Sequence, residues 1–163
     1  MIMNWTSWLI WGFGGTVFLT ALMVTGQGLG FTRMNMPYML GTMFTANRDR
    51  AQTVGVAIHL LNGWVFSLVY VAAFHVWGGP AWWKGALVGC VHAVFVLTAG
   101  MVSLPGLHPR MAGNTRGPTV VRQLEPPGFM ALNYGRNTPI AIVVAHVAFG
   151  IILGGFYTPL PLR

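Results

Sequence analysis

The five histidines are the residues of this sequence best suited to chemistry, because the chain around them is strongly apolar. His59, His92 and His146 fall inside long apolar runs, whereas His75 and His108 lie near the ends of such runs. Ionisable side chains inside a membrane bundle are costly, so they normally face its interior. A neutral imidazole can ligate haem iron or a metal, and it can also hydrogen-bond between helices.

His59 and His146 share a sequence context, since Gly63 and Gly150 follow them at a spacing of four residues. Small residues on the face of a histidine let a second helix or a flat cofactor approach closely. The pair therefore predicts a site that clamps one haem b or lines a quinone pocket. The competing interpretation is that both histidines serve helix packing and hydrogen bonding, and the residue pattern leaves the two open.

Other reaction classes lack their residues. The sequence has no HExxH, Walker A or GxSxG motif, and Cys90 is the sole cysteine, so neither a disulfide nor a cysteine metal cluster can form within the chain. The only two acids, Asp49 and Glu125, lie outside the apolar runs, which excludes a paired-carboxylate site within a bilayer. We predict no catalytic residue and no metal site.

A second candidate site is the motif His108-Pro-Arg110-Met, directly after an apolar run. A basic side chain at the level of lipid headgroups binds phosphate oxygens. His108 and Arg110 are therefore predicted to contact a lipid or another anion.

The elements that position these residues follow from composition. The chain of 163 residues is 55% hydrophobic and 7% charged, whereas a soluble domain has about 25% charged residues. Four apolar runs are long enough to cross a hydrocarbon core of about 30 Å, which needs about 20 helical residues. The predicted spans are Ser7–Leu29, Thr53–Trp77, Trp82–Leu104 and Pro139–Tyr157.

The net charge of +7 resides mainly in the loops between these spans. This distribution is typical of membrane topology and argues against a nucleic-acid partner. The loops 30–52 and 105–138 carry most of the arginines, so the positive-inside rule predicts that both loops are cytoplasmic and that both termini lie outside.

An internal repeat is suggested by two matching segments. His59-Leu-Leu-Asn-Gly63 precedes Tyr70 by the same spacing that separates His146-Val-Ala-Phe-Gly150 from Tyr157. The predicted fold is thus an all-α integral membrane protein whose four transmembrane helices form two parallel-oriented helical hairpin repeats.

Both cytoplasmic loops are predicted to be ordered. Pro37 can begin a short helix in a Met-rich segment that is either interfacial, a docking surface, or packed on the bundle. The second loop mixes apolar residues with arginines and is predicted to form a cap in which Glu125 pairs with Arg116, Arg122 or Arg136.

Four segments carry a resemblance to a family: 30–70, His108-Pro-Arg-Met, Arg122-Gln-Leu-Glu-Pro-Pro-Gly-Phe and Asn133-Tyr-Gly-Arg. With these segments the chain resembles uncharacterised small bacterial membrane proteins with four spans. The resemblance implies residence in the bacterial inner membrane and supplies no activity.

The sequence is compatible with three functions. The first is a non-catalytic accessory or structural subunit of a larger membrane complex, in contact with lipids and with other membrane subunits or further copies of itself. The second is an electron-transfer subunit that binds haem b or quinone through His59 and His146. The third is a small-solute channel or carrier that works as an oligomer.

Overall fold

A computed structural model describes residues 1–113 and 116–162, and within these ranges the protein is helical and contains no β-strand. Its α-helices, in chain order, are α1 (Trp5–Gly28), α2 (Met36–Thr42), α3 (Arg48–Val76), α4 (Trp82–Phe95), α5 (Met101–Leu107) and α6 (Thr138–Phe156). Four helical stretches are long and apolar enough to cross a membrane, namely Trp5–Gly28, Arg48–Val76, Trp82–Leu107 and Thr138–Phe156. The predicted all-helical architecture with four such helices is confirmed.

Two of these helices begin earlier than the apolar runs do, because asparagines cap them. The Asn4 side chain accepts a hydrogen bond from the backbone N–H of Ser7 at 3.1 Å, so α1 begins at Trp5. Asn47 bonds the N–H of Arg50 at 3.0 Å in the same way, and α3 begins at Arg48. A capping side chain satisfies an N–H that the first helical turn leaves without a partner. The charged first turn of α3 therefore belongs to the helix.

The third long helix is interrupted by a π-helical turn, Val96–Gly100, which joins α4 to α5. Thr98 bonds the carbonyl oxygen of Val94 through its hydroxyl at 2.7 Å within this turn. The helix then continues through Pro105 to Leu107, three residues beyond the predicted end at Leu104. Proline weakens a helix interior, but α5 ends within one turn of it.

The described residues form two compact units. Unit 1 comprises Met1–Leu22, Leu60–Ala93 and Val143–Arg163. Unit 2 comprises Met23–His59 and Val94–Ile142.

The two cores differ in composition. Unit 1 buries aromatic side chains, among them Tyr70, Phe74, Phe149 and Tyr157. Unit 2 buries methionines, namely Met23, Met34, Met39, Met101 and Met111. Methionine is flexible enough to fill irregular gaps, which suits a core built from short helices and loops.

Within unit 2, α2 lies backbone-to-backbone against α3. A Cβ built on Gly55 would meet the carbonyl group of Pro37, and a Cβ built on Gly41 would meet the carbonyl group of Ala51. Pro37 stands in the first turn of α2, as predicted, and Met39 is buried. Of the alternatives for the Met-rich segment, the structure supports packing against the protein.

The second loop is ordered where it is described, and it contacts the first loop. The backbone N–H of Arg33 bonds the carbonyl oxygen of Tyr134 at 2.9 Å. Glu125 pairs with Arg33 at 3.5 Å, so the predicted pairing with an arginine of its own loop is wrong. The sequence suggested an arginine close to Glu125 in the chain, but the fold places Arg33 of the first loop beside this carboxylate.

Candidate functional site

The interior of unit 1 contains a pair of histidine rings. His146 is 7% exposed, and its ring centroid lies 4.7 Å from that of His92 with the ring planes at 83°. The Nδ1 atom of His92 lies 3.0 Å from the Tyr70 hydroxyl, and Phe66 stacks on the His92 ring at 5.1 Å. The cluster thus joins two imidazoles edge to face and provides one of them with a hydroxyl partner.

Glycines let the backbones approach closely enough for this pair to form. A Cβ on Gly89 would meet the carbonyl oxygen of His146, and a Cβ on Gly85 would meet the carbonyl oxygen of Gly150. The approach is the small-residue packing that brings membrane helices together. The spacing of glycines was visible in the sequence, but which histidine they would bring to His146 was not.

The predicted haem or quinone pair is divided between the two units. His59 belongs to unit 2 and His146 to unit 1, where His146 has His92 as its ring neighbour. Among the described residues, no group of three or more histidine, cysteine or acidic side chains is placed to hold a metal ion. Ligation of haem b or quinone by His59 and His146 stays a prediction.

A second histidine in unit 1 also contacts a tyrosine hydroxyl. The Nε2 atom of His75 lies 3.2 Å from the hydroxyl oxygen of Tyr157, which also accepts the backbone N–H of Asn4 at 3.3 Å. This arrangement ties the segment before α1 to the residue that follows α6.

In unit 2, the His108-Pro-Arg110 motif fastens the end of α2. The His108 side chain is 2% exposed; its Nε2 atom lies 2.9 Å from the carbonyl oxygen of Met39, and its Nδ1 accepts the backbone N–H of Arg110 at 3.1 Å. Since Nδ1 accepts, Nε2 carries the proton and donates to Met39. The Arg110 guanidinium donates to the carbonyl oxygen of Thr42 at 2.6 Å.

The electrostatics of this motif favour a neutral imidazole. Burial lowers the pKa of His108; the hydrogen bond to Met39 raises it in part, and the charge of Arg110 lowers it further. Both ring nitrogens of His108 thus form hydrogen bonds within the protein. Arg110 is half-buried and borders a cavity of about 440 Å³. The contact of Arg110 and His108 with a lipid or another anion stays a prediction.

Many polar side chains surround a cavity of about 530 Å³ in unit 2. Both acids of the chain, Asp49 and Glu125, line it. So do all three glutamines, together with two arginines and two tyrosines: Gln27, Gln52, Gln123, Arg33, Arg48, Tyr38 and Tyr134. In a chain with so few polar side chains, this convergence marks the cavity as a candidate binding site.

Hydrogen bonds fix the wall of the cavity. Asn35 caps α2 by accepting the N–H of Tyr38 at 2.9 Å, and its amide donates to the Gln52 side chain at 3.1 Å. Tyr134 donates to the backbone carbonyl oxygen of Glu125 at 2.6 Å. Burial raises the pKa of Tyr134 to about 12, with Glu125 raising it further and Arg33 opposing them, so this hydroxyl stays protonated.

The sequence held a signal for this cavity that motif searching misses. Its polar residues come from the last turn of α1, the first loop, the first turn of α3 and the second loop, so no local spacing connects them. What these segments share is their residue types, because the acids and glutamines of the chain, which are few, all occur in them.

Comparison of the chain with protein-family models, with curated proteins and with solved structures found no match.

Proposed function

We propose that the protein is a non-catalytic accessory subunit of a larger membrane complex, held in a bacterial inner membrane by its four apolar helices. The observation that carries this proposal is a group of apolar side chains that are exposed outside the four long helices.

These exposed side chains belong to the loops of unit 2. Val120 is 89% exposed, and Val121, Phe129 and Phe44 are also exposed. Val120 and Val121 are consecutive in the chain, so this segment presents an apolar surface that favours contact with another apolar surface. Covering one fully contributes about 1.5–3 kcal/mol. The occupant that we assign to Val120 and Val121 is an apolar surface of another membrane subunit.

Co-purification in mild detergent tests the assignment. We expect a partner at fixed stoichiometry, and we expect it to be lost from a chain carrying both Val120→Ser and Val121→Ser. Val91→Ser is the matched control, because Val91 is 71% exposed but lies within α4, where lipid is the expected neighbour. A chain that purifies alone, or only with copies of itself as measured by light scattering, would contradict the accessory role.

The orientation proposed here places loops 30–52 and 105–138 in the cytoplasm and both termini outside. Support comes from the arginines concentrated in these loops. Since Cys90 is the sole cysteine, Cys90→Ser gives a background in which introduced thiols report their side of the membrane.

Gly117 and Leu162 are exposed positions suited to this labelling. In intact spheroplasts, an impermeant maleimide should label Leu162→Cys, whereas Gly117→Cys should react only after permeabilisation. The reverse pattern would invert the proposed topology. Extraction of the whole chain by alkaline carbonate would contradict membrane integration itself.

A further inference from the structure

The polar cavity of unit 2 is located where two of the long helices end. Gln27 lies in the last turn of α1, and Asp49 and Gln52 lie in the first turns of α3. If these helices cross a bilayer, their ends stand at the level of the lipid headgroups. A cavity at that level is within reach of both lipid headgroups and water-soluble polar molecules.

The charges of the cavity balance. Two guanidiniums, of Arg33 and Arg48, face two carboxylates, of Asp49 and Glu125. Arg33 and Glu125 pair at 3.5 Å, but their side chains are 67% and 47% exposed, and such a pair contributes under about 1 kcal/mol. Within the described ranges, Asp49 has no ion-pair partner.

This balance favours a ligand that carries both charges. A purely anionic group is attracted by the two guanidiniums and repelled by the two carboxylates, so the contributions offset each other, and the same holds for a purely cationic group. A molecule that carries both signs satisfies both pairs. The neighbouring amides of Gln27, Gln52 and Gln123 offer donors and acceptors to its linking atoms.

The geometry also discriminates between kinds of ammonium group. A quaternary ammonium needs open aromatic faces, but the guanidinium of Arg48 already stands over the Tyr38 ring at 5.9 Å. A primary ammonium needs hydrogen-bond acceptors, which Asp49, Glu125 and the glutamine carbonyls supply. Guanidinium, in turn, matches the oxygens of a phosphate.

We propose that the cavity binds a phosphate–ammonium zwitterion of the phosphoethanolamine type, with phosphate on Arg48 and Arg33 and ammonium on Asp49 and Glu125. The volume of about 530 Å³ falls within the range of roughly 300–1,000 Å³ typical of small-molecule sites. The ligand is either the headgroup of a lipid or a soluble molecule with the same group. This binding role goes beyond the accessory function and does not depend on a protein partner.

Binding to the full chain in detergent micelles tests the proposal. The probes are phosphatidylethanolamine, phosphatidylcholine and phosphatidylglycerol, measured by native mass spectrometry, and soluble glycerophosphoethanolamine, measured by calorimetry. Preference for phosphatidylethanolamine over the other two lipids, or binding of the soluble probe, supports the site. Binding of the lipid alone identifies a headgroup source, and binding of the soluble probe alone identifies a free solute. Equal retention of the three lipids, together with no binding of the soluble probe, overturns the proposal.

Variants assign any binding to the cavity. Asp49→Asn and Arg48→Gln should each weaken binding by roughly 10-fold, the loss expected for one charge-assisted contact. Arg136→Gln is the matched control, since Arg136 is an exposed arginine that does not line the cavity. Equal weakening by Arg136→Gln would show non-specific attraction and overturn the proposal. Thermal unfolding of each variant verifies folding, and Glu125→Gln replaces any variant that fails.

Discussion

The contact between α2 and α3 gives a quantitative prediction about Gly55. In Gly55→Ala, the new methyl group would meet the carbonyl group of Pro37 and lie 2.9 Å from the backbone nitrogen of Gly41. All of these are backbone atoms, so no side chain can rotate away to relieve the clash. The only relief is a displacement of α2 from α3.

The size of the effect follows from two opposing contributions. Alanine in a helix interior is favoured over glycine by about 1 kcal/mol. Overpacking a filled interior costs about 3 kcal/mol, the upper part of the usual range, because backbone must move. The free energy of unfolding should therefore fall by about 2 kcal/mol, which for a chain of this size lowers Tm by roughly 4–8 °C.

Gly26 in α1 is the matched control, because a Cβ built there has no atom within 4 Å. Gly26→Ala should leave Tm unchanged or raise it by roughly 2–4 °C, since only the helix preference changes. The assay is thermal unfolding of the purified chain in detergent, followed by the fluorescence of its seven tryptophans. If Gly55→Ala proves as stable as Gly26→Ala, α2 does not pack on α3 as described.

Three further predictions follow from the sites. Because burial lowers the pKa of His108, the unfolded chain binds a proton below about pH 6.5 that the folded chain does not. The free energy of unfolding should therefore decline as pH falls from 7 to 5. The decline in Tm over this range should be smaller for His108→Gln, and an equal decline would refute this prediction. Tyr134→Phe should lose about 1 kcal/mol with its hydrogen bond to the carbonyl oxygen of Glu125, measured by denaturant or thermal unfolding, and an unchanged stability would contradict that contact. We expect a colourless purified protein because the His146 ring lies against another histidine ring; a Soret band that disappears in His59→Ala or His146→Ala would instead establish haem b.

The four long helices were predictable because the length of each apolar run identifies a helix without knowledge of its tertiary contacts. Their starts were not, since the prediction followed hydropathy and passed over the asparagine caps at Asn4 and Asn47. Helix boundaries depend on single hydrogen bonds at the first turn, which an average over many residues conceals. The hairpin repeat stays a prediction.

The candidate sites were less predictable because they combine distant segments. The sequence pattern paired His146 with His59, yet helix packing places the ring of His92 beside that of His146. Glu125 was expected to pair with an arginine of its own loop, but it pairs with Arg33, which is 92 residues away in the chain. Polar residues with no regular spacing formed the cavity of unit 2, so periodicity and motif patterns could not indicate it.

The π-helical turn Val96–Gly100 sets the rotational phase of the residues that follow it. In a regular α-helix, every fourth residue advances by about 40° around the axis, so a stripe at this spacing drifts off one face. A π-helical turn holds one residue more than an α-helical turn, so it offsets this drift, and Leu97 and Met101 on either side of it are both buried. Deleting Ala99 should convert this turn to regular α-helix and leave the segment that follows in phase, whereas a deletion from a regular α-helix rotates the following segment by about 100°. The His108 ring should then still reach the carbonyl oxygen of Met39, so the π-helical turn is the part of this helix that can lose one residue without releasing α2.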